Sequence, residues 1–516
     1  MSGPSKSANP AQTLRFRPDM ERLEQREAPA AISLIDFYNV RSGRTLNQTR
    51  PNRNGVAGVL RNDYDDTQGT PPPFRNGGMT AALTSVPIDF ATGIAITTPF
   101  TFQANGGFTF RAPRNFNGVV GFTYRATAVD GSVSAVTNAI INVQGPVRRL
   151  AVGADQGSSP SVAVYNSSST NLLFQIEAFD ASFTGGVRVA TGDLNADNTD
   201  DIVAGAGPSQ GGHVKVFNGR TGAEMASFFA FQGYLGGVEV ATGDLNGDDI
   251  DDLIVASGNG PAAHVKVFDG TRVTQGGFNS EDPANVLASF FAYGSGETGG
   301  IRVAAGDIDG DGVIKLVTAP ASGGTLVKVF DLSGGTPVQT KAFFAGDPGD
   351  TRGLFVTAGD FNGDFLDDIA VGSGSGRPEA RIYITAAGNP TTMIFERGVS
   401  AASFTDDFVA DAFSNPLQQN PIPNFLDSTL TSPAQTPTDF AGRAVTNRPG
   451  SAQGFTGGLR VAVDYSNRDN FADLVLAQGP NSFPRVQILS GRDLTPLFEF
   501  TVFNGFFGGL YVGGHY

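Results

Sequence analysis

The chain contains no cysteine and no tryptophan, and it has only three histidines among its 516 residues. Without cysteine, disulfide frameworks, thiol catalysis and zinc–thiolate sites are excluded, and the redox compartment stays undetermined. Long apolar runs are missing too, because none approaches the roughly 18 residues that a membrane-spanning helix requires. The sequence therefore predicts no transmembrane segment.

Positive charge is scarce, with 35 Lys and Arg against 50 Asp and Glu and a formal net charge of −15. Nucleic-acid binding depends on clustered basic residues, so no nucleic-acid partner is predicted. The first residues also lack a conventional apolar signal segment, because the stretches at 14–18 and 21–27 are charged. The export route is therefore not readable from the sequence.

Glycine and phenylalanine are abundant, with 68 and 41 residues, and they separate short stretches rich in Val, Ala and Thr. This composition is typical of many short strands joined by glycine turns. A chain of this length is also long enough for two or more domains. The sequence thus predicts an all-β protein with more than one domain.

Three nine-residue loops repeat one pattern of oxygen-bearing side chains: loop 1 at residues 193–201, loop 2 at 244–252 and loop 4 at 360–368. Each offers side-chain oxygens at positions 1, 3, 5 and 9 and a backbone carbonyl at position 7, and Ca²⁺ takes six to eight oxygens at about 2.3 to 2.6 Å. Asp, Asn and Gly also form ordinary turns, but recurrence in register favours calcium. The predicted ligands are Asp193, Asn195, Asp197, Thr199 and Asp201 in loop 1, Asp244, Asn246, Asp248, Ile250 and Asp252 in loop 2, and Asp360, Asn362, Asp364, Leu366 and Asp368 in loop 4.

Three further corners depart from the pattern. Loop 3, at residues 307–315, keeps three predicted ligands but has a lysine at position 9, which should weaken or abolish its site. Loop 5, at residues 465–473, has a phenol at position 1, and Asp464 could replace it only after a backbone shift. The sixth corner has Tyr516 and Arg149 at positions 1 and 9, so no ion is predicted there. The ligands predicted in loop 3 are Asp307, Asp309 and Asp311.

Each corner follows a segment similar to Gly-Gly-Val-Arg-Val, and these segments begin at residues 185, 236, 299, 352, 457 and 508. A period of about 51 residues with four short strands per unit predicts propeller blades. Residues 150–154, 161–165 and 174–179 match the second, third and fourth strands of a blade, whereas residues 508–516 match a first strand with nothing after it. Joining them predicts a six-bladed β-propeller closed by the C-terminal strand, which leaves no sheet edge exposed.

One interval between these segments is longer and contains an insertion at about residues 397–453, rich in Pro, Asn, Ser, Thr and Phe. It lacks the corner and the Val-Lys-Val-Phe strand, which favours a long loop or small subdomain over a degenerate seventh blade. Residues before the propeller carry strand-like segments that predict a small β-sandwich. The predicted domains are an N-terminal segment at 1–31, the sandwich at 32–145 and the propeller at 146–516.

The corner Gly-Asp-Leu-Asn-Gly-Asp followed by Asp-Asp-Leu-Ile-Val resembles the FG-GAP or VCBS repeat, the calcium-loop β-propeller unit also found in the integrin α-subunit head, over about residues 147–516. Residues 58–63, 115–118 and 122–124 resemble a bacterial cadherin-like or immunoglobulin-like module, in which Asp63, Asp65 and Asp66 fall where calcium is held. Residues 21–29 are similar to an N-terminal segment of many bacterial secreted or envelope proteins. These resemblances imply calcium binding and an extracellular or cell-surface location in the bacterial envelope.

Two functions remain open. The first is a non-catalytic, calcium-binding adhesion or scaffold protein with protein or glycan ligands at the cell surface or matrix, for which self-association is possible. The second is a carbohydrate-binding or polysaccharide-acting propeller, with the insertion at 397–453 as a wall over the central axis. Enzymes bring acids and bases together in one pocket, whereas almost every acidic cluster here is a repeat element. His213 and His264 also occupy equivalent strand positions, which favours repeat ancestry over a metal pair.

Overall fold

The protein is described by a computed structural model over residues 31–53, 55–65, 77–96, 98–113, 116–260, 263–376, 378–386, 389–400, 411–414, 457–467, 469, 471–482 and 484–514. Within these ranges strands dominate, and the helical elements are short turns at Gly58–Leu60, Gly270–Val273 and Pro283–Asn285. The predicted all-β class is therefore confirmed. No helix of the described ranges has the length and apolarity that crossing a membrane requires.

Ten strands form an N-terminal unit with two main sheets. The first sheet orders its strands β2-β10-β9-β5, with β6 paired to β9, and the second orders them β3-β8-β7. Phe108 and Phe122 join the two sheets, with ring centres 5.1 Å apart in an edge-to-face arrangement. The strands are β1 (Ala31–Ile32), β2 (Asp36–Arg41), β3 (Thr45–Asn47), β4 (Tyr64–Asp65), β5 (Thr80–Leu83), β6 (Ile88–Asp89), β7 (Phe100–Phe102), β8 (Phe108–Arg111), β9 (Gly118–Thr127) and β10 (Thr137–Gln144).

The remaining described strands form six antiparallel sheets. Sheets 1, 2, 3 and 5 each run in chain order through four strands, sheet 4 has a fifth strand, and sheet 6 combines strands from both ends of this region. Sheet 1 contains β14 (Val187–Gly192), β15 (Asp201–Ala206), β16 (His213–Phe217) and β17 (Glu224–Phe229); sheet 2 contains β18 (Val238–Gly243), β19 (Asp252–Ser257), β20 (His264–Phe268) and β21 (Val286–Phe291); sheet 3 contains β22 (Ile301–Gly306), β23 (Lys315–Pro320), β24 (Leu326–Asp331) and β25 (Val338–Phe344); sheet 4 contains β26 (Leu354–Gly359), β27 (Asp368–Ser373), β28 (Glu379–Ala386), β29 (Asn389–Ser400) and β30 (Asp411–Ser414); sheet 5 contains β31 (Leu459–Asp464), β32 (Asp473–Gln478), β33 (Arg485–Leu489) and β34 (Pro496–Thr501); sheet 6 contains β11 (Arg149–Ala154), β12 (Ser161–Asn166), β13 (Leu172–Glu177) and β35 (Leu510–Gly513).

The two inner strands of each sheet are largely buried, whereas the outermost strand of sheets 1, 2, 3, 5 and 6 is largely exposed or half-buried. The second strand, which is β11 in sheet 6, is buried at every residue in all six sheets. The fourth strand of sheet 1 is mostly exposed or half-buried. Small and β-branched residues such as Ile202 and Val203 fit a strand that is covered on both faces. The first strands of successive sheets are neighbours: β14 contacts β18, β18 contacts β22, β22 contacts β26, β26 contacts β31, β31 contacts β35 and β35 contacts β14.

The last described strand completes sheet 6. Strand β35 pairs antiparallel with β11, with Val152 opposite Val512 and Ala154 opposite Leu510. Leu510 is fully buried and Val512 is 8% exposed. The predicted pairing of these two distant segments is confirmed.

The region predicted as an insertion begins inside a strand. Strand β29 includes residues 397–400, and β30 pairs with it as the fifth strand of sheet 4. The rest of the predicted insertion lies outside the described residues, as do the predicted N-terminal segment before Ala31 and the residues Asp66, His515 and Tyr516.

Candidate metal centre

Each of loops 1 to 5 is the hairpin between the first and second strands of its sheet. The closing pairs are Gly192 with Asp201, Gly243 with Asp252, Gly306 with Lys315, Gly359 with Asp368, and Asp464 with Asp473. Position 9 of every loop therefore begins the second strand, and position 1 directly follows the first strand. Each loop thus follows a first strand, in agreement with the repeated segments of the sequence.

The carboxylate at position 1 organises the turn. In loop 2, Asp244 Oδ1 accepts the N–H groups of Gly247 at 2.7 Å and Asp248 at 3.1 Å, and Oδ2 accepts that of Asp249 at 3.0 Å. Gly247 and Asp249 both have positive φ, at 79° and 67°, so the chain turns sharply enough to point successive N–H groups at one side chain. Loops 1 and 4 use Asp193 and Asp360 in the same way.

The carboxylate at position 9 is also fixed in place. Asp252 Oδ2 accepts the N–H of Leu245 at 2.9 Å, and Oδ1 accepts that of Gly270, on the connection after the third strand, at 3.1 Å. Asp473 of loop 5 repeats both contacts, with Ser466 at 2.8 Å and Gly491 at 3.2 Å. In loops 1, 2 and 4, positions 1 and 9 therefore bring two carboxylates to the loop in defined orientations.

Two carboxyl groups of loop 1 each have one oxygen without a hydrogen bond to the described part of the chain. Asp197 Oδ1 and Asp201 Oδ2 are buried and have no hydrogen-bond partner among the described residues. Burial, with the charges of Asp193 and Asp197 next, raises the pKa of Asp201 to about 8. Burial raises the pKa values of Asp252 and Asp360 to about 8 as well. Burying a carboxylate oxygen without a partner costs folding free energy. A hard cation such as Ca²⁺, which binds oxygen ligands, would supply the missing partner.

Loop 3 contains an ammonium group among its carboxylates. Asp307, Asp309 and Asp311 present oxygens within 4.8 Å of one another, a spacing suited to a metal ion. However, Lys315 Nζ donates to Asp311 at 2.8 and 3.0 Å and lies 3.4 Å from Asp309 and 3.6 Å from Asp331. Lys315 is 1% exposed. Burial alone would lower its pKa, but the hydrogen bonds to Asp311 and the neighbouring carboxylates raise it.

Loop 5 and the sixth corner keep less of the pattern. Asp464 accepts hydrogen bonds from the backbone N–H of Tyr465 and from the hydroxyl of Ser466, each at 2.8 Å. Both oxygens of its carboxylate therefore already have a hydrogen-bond partner. In the sixth corner, Arg149 Nε donates to the carbonyl of Gly219 at 2.8 Å. The other residue of that corner, Tyr516, lies outside the described residues.

Position 8 carries a contact that the sequence reasoning missed. Asp251 Oδ2 accepts the N–H of Asp193, in the preceding sheet, at 2.8 Å, and Asp251 N–H donates to the Asp193 carbonyl at 3.2 Å. Asp367 makes the same pair of bonds to Asp307, at 2.6 and 2.9 Å. We call this two-bond contact, which Asp251 and Asp367 make, the inter-sheet clasp. Ala472 of loop 5 makes only the backbone bond of the clasp, to loop 4. The recurring Asp-Asp doublet at positions 8 and 9 is the signal that identifies it.

The tips of the loops touch the N-terminal unit. Asp249 at position 6 of loop 2 lies 2.9 Å from Arg44 and 3.4 Å from Arg111. Phe365 at position 6 of loop 4 packs against the apolar core of the N-terminal unit. A cavity of about 60 Å³ between the two parts is lined by residues that include Arg111, Phe116, Asp307 and Phe365. The face that carries the candidate metal loops is therefore also the face that meets the N-terminal unit.

Asp63, one member of the acidic group suggested for the N-terminal unit, has hydrogen-bond partners inside that unit. Asp63 is fully buried, and its carboxylate accepts the Leu34 N–H at 2.8 Å and the Tyr124 hydroxyl at 3.0 Å. Asp36 accepts the same hydroxyl at 3.0 Å. The structure thus uses Asp63 inside the core of the unit, and Asp66 lies outside the described residues.

The histidines of sheets 1 and 2 have equivalent surroundings. His213 Nε2 lies 2.8 Å from Ser227 Oγ, and His264 Nε2 lies 2.9 Å from Ser289 Oγ. Each ring also packs on a phenylalanine of the fourth strand. The repeated environment agrees with repeat ancestry.

Comparison with known proteins gives a partial similarity. No protein-family profile matches the chain. Over 90 residues it is 37% identical to integrin alpha-V of Gallus gallus, covering 16% of this chain and 8% of that protein. Over 225 residues it is 28% identical to integrin alpha-5 of Xenopus laevis, covering 38% of this chain and 20% of that protein. The chain therefore spans a fifth or less of these relatives.

Similarity to solved structures is low. A β-propeller domain from Myceliophteria thermophila is 9% identical, covers 67% of this chain and 82% of its own, and has a TM-score of 0.34. A similarity of that degree carries no argument about this chain.

Proposed function

We propose that this chain is a calcium-stabilised, non-catalytic adhesion or scaffold protein that acts outside the cell or at its surface. Its six sheets would be the blades of a closed β-propeller, with Ca²⁺ in loops 1, 2 and 4. The similarity to parts of two integrin α subunits supports an adhesion or binding role. Protein or glycan ligands at the cell surface or matrix would be its partners.

Closure of the propeller is supported by the neighbours of the first strands. Each of β14, β18, β22, β26, β31 and β35 lies between two others, and β35 contacts β14. A ring of sheets with no free inner edge is the arrangement that follows from such contacts. The pairing of β35 with β11 would complete the sixth blade.

The observation that carries calcium binding is the pair of buried carboxylate oxygens without partners, on Asp197 and Asp201. In loop 1 the ion would be held by Asp193, Asn195, Asp197 and Asp201, with the Thr199 carbonyl as a further ligand. Loops 2 and 4 would use the corresponding residues. The ion would neutralise clustered carboxylates and tie the two inner strands of a blade together. It would not supply a reactive group.

The absence of catalysis is proposed because the acidic clusters of the described residues recur from sheet to sheet. Loops 1, 2 and 4 place the same residue types in the same turns, and the inter-sheet clasp also recurs. A catalytic site would need acids and bases that are not matched in the other repeats.

Thermal unfolding with excess chelator and with millimolar Ca²⁺ tests the proposal. Extracellular calcium sites have dissociation constants of about 10⁻⁴ to 10⁻³ M. A ligand at 100 times its dissociation constant stabilises the native state by roughly 2.7 kcal/mol per site. We expect a clearly higher Tm with Ca²⁺, and a smaller increase in the Asp201→Asn variant. Identical melting curves, with no calcium in the purified protein, would contradict it.

The alternative, a carbohydrate-binding or polysaccharide-acting propeller, depends on the region at 397–453, most of which lies outside the described residues. A glycan array probed with and without Ca²⁺ separates the two functions. Selective binding of one polysaccharide class, followed by its cleavage, would favour the alternative over adhesion.

A further inference from the structure

One side chain from each of the six first strands meets its neighbours in a ring, which we call the central ring. Every member is the second residue of its strand. The members are Arg188, Glu239, Arg302, Phe355, Arg460 and Tyr511, from β14, β18, β22, β26, β31 and β35. The metal loops follow the other end of the same strands, so the ring lies towards the face opposite the loops.

One half of the central ring is polar. The Nε atoms of Arg188 and Arg302 lie 3.6 and 3.8 Å from the same oxygen, Glu239 Oε1. One carboxylate therefore serves two guanidinium groups. Because each ion pair is long and the carboxylate is shared, neither cation receives full compensation from it.

The other half combines guanidinium groups with aromatic rings. The Arg302 guanidinium lies 3.5 Å above the centre of the Phe355 ring, and that of Arg460 lies 5.0 Å from Phe355 and 5.2 Å from Tyr511. The Arg188 guanidinium closes the ring 4.6 Å from the centre of Tyr511. These cation–π contacts hold the guanidinium groups close together without neutralising them.

The central ring and its surroundings carry an excess of positive charge. Among the described residues, the ion pairs of the ring involve one carboxylate besides Glu239, that of Asp155, whose Oδ2 lies 2.7 Å from Arg460 Nη2. Three guanidinium groups thus face two carboxylates. Arg302 Nε and Arg460 Nε are buried and have no hydrogen-bond partner among the described residues. Arg460 is only 5% exposed, so its unpaired N–H group points into protein rather than into bulk water.

The guanidinium groups are fixed before any ligand arrives. Arg188 Nη1 donates to the Gly185 carbonyl at 3.1 Å, and Arg460 Nη1 donates to the Gly457 carbonyl at 2.8 Å. A Cβ atom at Gly479 would lie 1.9 Å from the Gly457 carbonyl oxygen and 1.8 Å from Arg460 Nη1, so glycine is required where this turn packs against the guanidinium. Donors held in place in this way lose little entropy on binding.

We infer that the central ring binds a carboxylate group, between the guanidinium groups of Arg188, Arg302 and Arg460. A planar carboxylate matches the paired donors of a guanidinium fork, and it would supply the missing negative charge. The side chains of Arg188, Glu239 and Arg302 remain 12 to 14% exposed, so solvent reaches the ring. The carboxylate could come from a small free acid or from an acidic side chain of a protein partner. The inference does not depend on calcium in the loops.

The test measures binding of two probes to the full-length protein at pH 7.5 in saturating Ca²⁺. Line broadening of ¹³C-acetate in NMR reports a free carboxylate, and fluorescence anisotropy of a labelled hexaglutamate peptide reports one presented by a polypeptide. We expect at least one probe to bind and acetate to compete with the peptide. A peptide that binds no tighter than acetate indicates a small acid, and tighter peptide binding indicates a protein partner. Binding of neither probe would overturn the inference.

Three variants separate the ring from general effects on folding. Arg302→Gln should weaken binding by about tenfold or more, which corresponds to the loss of one charge-assisted hydrogen bond. Glu239→Gln should strengthen binding, because it removes competing negative charge, and partial unfolding cannot produce that result. Arg381→Gln, in an ion pair on β28, is the matched control and should leave binding unchanged. Equal binding by all three variants and the wild type would refute the site.

Discussion

At the scale of single residues, Lys315 occupies the position that an aspartate holds in loops 1, 2 and 4. Its ammonium group lies among Asp309, Asp311 and Asp331, and it offsets part of their negative charge without an exchangeable ion. Lys341 adds a second buried ammonium group, and burial lowers the pKa of this lysine. Loop 3 is therefore expected to remain folded when calcium is removed.

Replacing Lys315 with an acid should convert loop 3 into a calcium site. Lys315→Asp removes the ammonium group and adds the position 9 carboxylate, so isothermal titration calorimetry should detect one more Ca²⁺ equivalent than in the wild type. The control is Lys315→Met, which removes the charge without adding an oxygen and should add no equivalent. If the wild type already fills loop 3 as tightly as loops 1, 2 and 4, the assignment of position 9 is wrong.

The buried pair Asp36 and Asp63 should make the N-terminal unit sensitive to alkaline pH. Burial raises the pKa of Asp36 to about 8 and that of Asp63 to about 7, whereas an unfolded Asp titrates near about 3.9. The folded state therefore binds more protons than the unfolded state between these values. Its stability contribution is present below about pH 4 and is lost as the pH rises through 7 to 8.

The measurement is thermal unfolding in saturating Ca²⁺ at pH 5 and pH 9. The Tm of the wild type should fall more from pH 5 to pH 9 than that of the double variant Asp36→Asn with Asp63→Asn. The variant has no carboxyl groups that titrate at these positions. Parallel pH profiles for the two proteins would show that the carboxyl groups do not govern this stability.

At the scale of the structural element, the inter-sheet clasp links loop 1 to sheet 2 and loop 3 to sheet 4. Asp251 belongs to loop 2, but its carboxylate holds the backbone N–H of Asp193 at position 1 of loop 1. Loss of a buried acceptor costs about 1 to 3 kcal/mol. Asp251→Ala should therefore lower the free energy of unfolding by about that amount and weaken calcium binding in loop 1.

Asp251→Asn is the matched variant, since its side-chain carbonyl can still accept the Asp193 N–H. It should restore most of the stability measured by urea denaturation. Sheet 5 provides a natural comparison, because Ala472 keeps only the backbone bond of the clasp. A loss of calcium binding in loop 2 alone, with loop 1 unaffected, would disprove the link between the sheets.

The repeated elements were predictable from the sequence, because the same residue pattern at several positions supports the same turn each time. The strands around loops 1, 2 and 4 and the pairing of β35 with β11 are examples. The central ring was not predictable in this way, since its position is occupied by arginine, glutamate, phenylalanine or tyrosine from one strand to the next. A pattern search discards a variable position, although the topology brings these six residues together.

Individual contacts between distant segments could not be predicted from the sequence either. The pattern indicated that Lys315 would disturb a metal site, but not that its ammonium group would reach Asp331 on β24. Nor did it indicate that Asp63 would be used by Tyr124 inside the N-terminal unit. Such contacts depend on side-chain directions that only the packed structure defines.

At the scale of the whole molecule, sheet 6 depends on a strand that is distant in the chain. Deleting residues 508–516 removes Leu510 and Val512 from the core, and a fully buried apolar side chain contributes about 1.5 to 3 kcal/mol. The deletion also exposes the edge of β11 to pairing with other molecules. We expect a lower Tm and concentration-dependent association in analytical ultracentrifugation.

A control substitution separates lost packing from the open edge. Leu510→Ala should lower the Tm but leave the protein monomeric if the wild type is monomeric, because the backbone pairing of β35 with β11 is kept. A truncated protein as stable as the wild type would contradict the proposed closure of the propeller.

The same pairing has a consequence for biogenesis. Strand β11 leaves the ribosome early, yet its partner is synthesised only when translation reaches residues 510 to 513. Contacts of such long sequence separation form slowly, and an unpaired edge is prone to association in the meantime. One edge of β11 pairs with β12, but the nascent chain must keep the other edge unpaired through the synthesis of five other sheets. Translation rate and access to chaperones, rather than native stability alone, should then set the yield of folded protein.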